Sequence, residues 1–207
     1  MSNELNVAKE IAFWRLQIEE HMFFIHEGLV DAGLKQEAAR LNQAWHNLVD
    51  ANVMPLIAET LKFQLLLINK IKYGPWIGWL SLSFVLHMVK ETNYFKAKLL
   101  GKITKEEEIQ FWLWHHHSEV AAAEKLVDPT EEELSLLMKE YIEYVKTLEA
   151  NATNVTDKEF NTVLEEYLVN NEDLKVEILN HTVATNIPPA LINHVLREGY
   201  YAIDLFQ

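Results

Sequence analysis

The sequence predicts an all-α protein made of tandem, duplicated four-helix up-and-down bundles, about eight helices in all, ferritin-like or bromodomain-like in architecture. Three observations predict it. The 207 residues include only six Gly and five Pro, and long stretches of Leu, Glu, Ala, Lys and Ile run without β-branched alternation. Apolar residues recur at helical spacing, as in Ile11, Trp14, Ile18, His21 and Ile25. Finally, landmarks repeat in the same order: Phe13-Trp14 returns as Phe111-Trp112, Glu59-Thr60-Leu61-Lys62 as Glu172-Asp173-Leu174-Lys175, and His87/Glu91 as His194/Glu198, at offsets of 98, 113 and 107. Loops differ in length while the order is kept, so residues 1–101 and 102–207 read as two repeats packed as one compact unit.

The first helix begins near Asn3 and carries its apolar stripe toward Gly33, which offers a stop. A second spans about Lys35 to Ala51. Pro55 suits the first turn of a third, which ends near Tyr73 before Gly74-Pro75. Trp79 to Leu100 forms the fourth, closed by Gly101. Thr104 caps the fifth, with Glu107 as its capping-box partner, and the stripe continues through Ile109, Trp112, His115 or His116, Glu119, Ala123 and Leu126. Thr130 and Glu133 have the spacing of a capping box for the sixth, which runs to Ala150. After a polar linker at 151–157 come helical segments from Asp157 to Val183, with a break expected near Asn170-Asn171, and Pro188-Pro189 opens the last helix.

Composition narrows function. A net charge of −13 argues against nucleic-acid and anionic-membrane partners. With no cysteine, disulfides, iron–sulfur clusters and thiolate zinc sites are excluded, so any metal is held by imidazole and oxygen ligands. The start Met1-Ser2-Asn3-Glu4 lacks a basic region followed by an apolar core, and the expected location is cytoplasmic. From Tyr73 to Val89, 17 residues carry no formal charge, but the run opens with Gly74-Pro75 and is shorter than the ~20 residues of a comfortable span. It is expected to be a buried helix. Nothing in the sequence excludes a homo-oligomer.

The chemistry lies in three His-x-x-x-Glu pairs: His87/Glu91, His115/Glu119 and His194/Glu198. Four residues on a helix turn through roughly 400°, so each imidazole sits over its carboxylate on one face. With nine His and 25 Glu in the chain, chance placement gives about one such pair, so spacing alone says little. Equivalent placement in the two repeats says more. The first helix supplies His21, opposite Glu119 in the repeat alignment, with Glu20 beside it as a reserve; Gln17 falls opposite His115. These residues occupy stripes that otherwise carry Trp, Ile and Leu. A carboxylate turned into an apolar core costs several kcal/mol unless paired or metal-bound. Two divalent cations would offset the three Glu. Of His115-His116-His117, His117 is expected to face outward and His116 competes with His115, while His26, His46 and His181 read as ordinary. The Trp and Phe residues at helical spacing read as core.

At these residues the chain resembles the bacterial domain of unknown function 2935 family, duplicated helical-bundle metalloproteins of Bacillus-type bacteria. The resemblance rests on Phe13-Trp14 with Glu20-His21, on Phe111-Trp112 with Leu126-Val127-Asp128-Pro129-Thr130-Glu131, and on the His-x-x-x-Glu helices ending in Tyr94-Phe95 and Tyr200-Tyr201. It implies tandem bundles with a dinuclear metal centre between the repeats, and no particular activity. Ser118-Glu119 departs from the family's Glu-His at that place, although a Glu can replace a His at a hard metal.

Imidazole and carboxylate ligands without thiolate suit iron or manganese, with zinc admissible. Ferritin-like bundles use Glu-x-x-His, whereas here the order is His-x-x-x-Glu and the balance is nearer to hemerythrin-like sites. Three readings follow. One is a dinuclear iron or manganese protein for oxygen, peroxide or redox chemistry; another is a non-enzymatic metal-storing or sensing module. The third is a helical interaction protein without metal. No phosphate loop, dinucleotide fingerprint or Ser/His/Asp order is present.

Overall fold

The computed structural model describes residues 6–206. Eight α-helices occur among them: α1 (Val7–Gly28), α2 (Ala32–His46), α3 (Val53–Tyr73), α4 (Leu82–Leu99), α5 (Lys105–Glu124), α6 (Glu132–Ala150), α7 (Asp157–Leu179) and α8 (Pro189–Phe206). The chain divides between Ile103 and Thr104 into two compact units of four helices. In the first, α1 packs along α2 and α3 along α4, with α1 also against α4; in the second, α5 packs along α6 and α7 along α8, with α5 touching both α7 and α8.

The expected start of the first helix near Asn3 lies outside the described residues. The Asn6 side chain accepts from Lys9 N at 3.1 Å and caps α1, whose core face carries Ile11, Trp14, Ile18, Met22 and Ile25. Gly33 is not its stop. Helix α1 ends at Gly28 because Leu29 pairs in an isolated bridge with Gly78, while Trp79 N donates to Gly28 O at 2.7 Å and Val30 N to Ile77 O at 2.8 Å. Gly78 has φ +149°, and a Cβ there would lie 2.1 Å from Gly28 O, so only glycine fits. Asp31 accepts from Leu34 N at 2.9 Å and starts α2 ahead of Gly33.

The same bridge delays α4. The uncharged run from Tyr73 to Val89 is not one buried helix: 74–81 is a loop in which Trp79 is 82% exposed, and Ser81 caps α4 by accepting from Phe84 N at 3.1 Å. Among the described residues, Asp50–Tyr73 is the stretch long and apolar enough to cross a membrane by length and composition. Its Ile57, Thr60, Phe63, Gln64 and Leu67 are buried in the fold.

In the second unit Thr104 and Glu107 form the expected capping box. Thr130 and Glu133 do not. Asp128, two residues earlier, takes both the Thr130 amide (2.9 Å) and hydroxyl (2.6 Å), and α6 begins after Glu131, whose carboxylate accepts from Ala184 N at 2.7 Å. A second box, Thr156 with Glu159, starts α7. That helix runs unbroken through Asn170-Asn171, where the Asn171 side-chain amide donates to Tyr167 O at 2.7 Å.

Candidate metal centres

In the first unit α1 and α4 bring together His21, His87 and Glu91. The helical spacing sets His87 over Glu91, with Nε2 3.0 Å from Oε1, and His21 reaches across from α1 to place its Nε2 3.2 Å from Oε2. Glu91 is wholly buried, so two imidazoles hold each side of one carboxylate removed from water. One turn away, Trp14 packs on Tyr94 and Phe95 with ring centroids at 5.6 and 5.9 Å. Behind Glu91, Thr92 accepts from Gln64 Nε2 at 3.2 Å and donates to Met88 O at 2.8 Å, which ties α3 to α4. Glu20 is half-buried beside His21 and is not one of the grouped ligands.

The second unit repeats the arrangement with α5 and α8. His115 Nδ1 lies 3.3 Å from Glu119 Oε2 and its Nε2 3.5 Å from Glu198 Oε2; His194 Nε2 lies 3.5 Å from Glu198 Oε1. One ligand atom each from His115, Glu119 and Glu198 falls within 4.8 Å of the others, a spacing that a single cation can span. Trp112 packs on Tyr201 at 5.9 Å, the counterpart of Trp14 on Tyr94. Gly199, next to Glu198, lets α8 approach α7: a Cβ there would be 2.6 Å from Leu168 Cδ2 and 3.2 Å from Tyr167 Cδ1.

The electrostatics follow from burial. Burial pushes the Glu119 carboxyl well above its usual range; Glu198 pushes the same way and His115 opposes. Tyr167 donates its hydroxyl to Glu119, and burial followed by the Glu119 charge drives its ionisation well upward, so it stays a phenol. His116 stacks on the Tyr167 ring at 4.0 Å and 20°. Burial, then the adjacent His115, pushes His116 well below the imidazole range and leaves it neutral. Neither of its ring nitrogens has a hydrogen-bond partner among the described residues.

His117 does not face outward. It is buried against α6, its Nε2 2.7 Å from Glu149 Oε2. His26 and His46 form exposed pairs with Glu27 and Glu19, at 2.7 and 3.0 Å, and His181 takes φ 54° at the end of α7. Tyr167 is the site residue that sequence reasoning missed. Its signal was present: α7 buries Phe160, Val163, Leu164, Tyr167, Leu168, Asn171, Leu174 and Ile178, and only Tyr167 and Asn171 on that stripe carry hydrogen-bonding groups.

No family model matches the chain. It is similar to the uncharacterized protein L567 of Acanthamoeba polyphaga mimivirus, 28% identical over 169 residues, which is 67% of this chain and 53% of that one. The chain thus spans about half the length of that relative. Its fold is shared with the crystal structure of an uncharacterized protein from Bacillus cereus G9241, at a TM-score of 0.81 and 18% identity over 93% of this chain and 86% of the other.

Proposed function

We propose that the chain is a metal-binding protein that holds two iron or manganese ions through His and Glu ligands supplied by both repeats. His21, His87 and Glu91 would serve one ion, and His115, Glu119, His194 and Glu198 the other. The observation that carries this reading is the burial of Glu91, Glu119 and Glu198 among Trp, Ile, Leu and Tyr side chains, each carboxylate facing imidazole nitrogens. A carboxylate removed from water costs several kcal/mol unless positive charge compensates it, and a divalent cation held by the facing imidazole nitrogens would supply that charge.

Bound iron or manganese would supply one-electron, oxygen or peroxide chemistry. The protein's own residues hold the ligands in register along α1, α4, α5 and α8, exclude water with Trp14, Phe95 and Trp112, and orient Glu119 through the Tyr167 hydroxyl. The test is elemental analysis of the purified protein. Iron or manganese is expected, with loss of bound metal in His87→Ala and in His194→Ala. Metal-free wild type whose stability equals that of both variants would refute the reading. Oxygen consumption by the reduced, loaded protein separates a redox role from metal storage or sensing.

A further inference from the structure

The second unit contains a cavity of about 270 Å³ between α5, α6 and α7. Val120, Leu137, Met138, Tyr141 and Leu174 form its sides, and Tyr167 closes the inner end. It opens to solvent beside the exposed Leu137, and a mostly apolar pocket of this volume with a few polar groups at its rim has the make-up of a small-ligand site. The first unit handles its second helix differently: Trp45 is wholly buried there and donates to Thr60 at 2.8 Å, whereas α6 carries no tryptophan. At the rim stand the exposed carboxylates of Asp173 and Glu177. Residues beyond Ile103 hold 21 of the 31 acidic side chains and seven of the 18 basic ones, so an anion is repelled from this unit.

We propose that this cavity binds a small amphiphile with a cationic head and a short apolar chain. Its apolar chain lies against Leu137, Met138 and Leu174, and its ammonium-type group sits at Asp173 and Glu177. The inner end of the chain meets Tyr167, whose hydroxyl bonds Glu119 and whose ring stacks on His116. This places the bound molecule one residue from the second His/Glu cluster and makes the cavity its substrate pocket. That role rests on the metal reading; the binding itself does not.

Octylamine, octanol and octanoate serve as probes, titrated calorimetrically into the full chain stripped of metal by a chelator. Octylamine is expected to bind one per chain, octanoate at least about tenfold more weakly and octanol between them. Leu174→Phe fills the space from its side and Leu137→Trp, on an exposed helical turn that tolerates size, blocks the mouth. Each is expected to weaken octylamine about tenfold or more, while Leu136→Trp, outside the cavity, leaves it unchanged. Absence of saturable binding, or wild-type affinity in Leu137→Trp, overturns the site; equal affinity for octanoate overturns the cationic assignment. In protein shown by elemental analysis to carry iron, octylamine is expected to perturb the visible absorption of the wild type but not of Leu137→Trp. An unperturbed spectrum with binding intact overturns the substrate role alone, and a metal-free protein that still binds octylamine fails the metal reading alone.

Discussion

The buried Glu10–Lys98 pair shows how strongly a single side chain can depend on its partner. Lys98 occupies the last turn of α4, where a lysine read from sequence alone belongs to a solvated helix end. Instead its Nζ lies 3.4 Å from Glu10 Oε1, 3.4 Å from the Tyr94 hydroxyl and 5.7 Å from the centre of that ring, with both charged residues buried. Removing one member strands a buried charge, whereas removing both does not. Lys98→Met is therefore expected to cost about 3–5 kcal/mol in urea unfolding, and Glu10→Leu/Lys98→Met to recover most of that loss. A single-variant loss equal to that of the double variant would contradict the pairing. The same limit governed the site: the His-x-x-x-Glu pairs were legible because their spacing is local to one helix. Tyr167 was not, since its bond to Glu119 spans 48 residues and no periodicity reports it.

Helix existence followed from periodicity, but helix ends were decided by competition among short-range acceptors. Thr104/Glu107 and Thr130/Glu133 have the same spacing, yet only the first forms a box, because Asp128 takes the Thr130 hydroxyl before the helix can use it. The ends of α1 and α4 depend on each other through the Leu29–Gly78 bridge, a contact between residues 49 apart that no local window contains. Gly78→Ala is expected to lose at least about 2 kcal/mol, from the positive φ and the clash with Gly28 O, with the loss read by thermal melting. A change near zero would mean that the bridge does not hold this end of the helices. A gentler test lies where α5 meets α6. Ser135 Oγ donates to Glu124 at 2.7 Å and Lys139 lies 3.1 Å away, which together hold the Glu124 carboxyl below its usual range. A depressed carboxyl contributes stability above its unfolded pKa of about 4.3 and loses it as pH falls through the lower folded value. Ser135→Ala should thus cost about 0.5–1.5 kcal/mol at pH 7, and the difference from wild type should shrink toward pH 2.

Across the molecule, duplication is what made function approachable, since it turned an unremarkable spacing into the same pairs at matching places in two bundles. The copies nonetheless differ: the first carries Gln17 and Ile18 where the second has His115 and His116, and the acidic excess lies entirely in the second. Cations are accordingly favoured there by the field of the whole unit. Metal binding to the native state alone should stabilise the chain by mass action, about 2.7 kcal/mol for each ion when free metal is 100 times Kd. For a protein of this size, where one kcal/mol moves Tm by roughly 2–4 °C, that is a rise of roughly 5–10 °C for each ion on adding manganese to chelator-treated protein. Since His87 and Glu91 belong to one bundle and His194 and Glu198 to the other, His87→Ala should lose part of the rise, His194→Ala another part, and the double variant nearly all of it. Differential scanning calorimetry with and without manganese reads this directly. Equal melting in both conditions, extending to iron(II) and zinc, would mean that the buried carboxylates are stabilised by protons and hydrogen bonds alone.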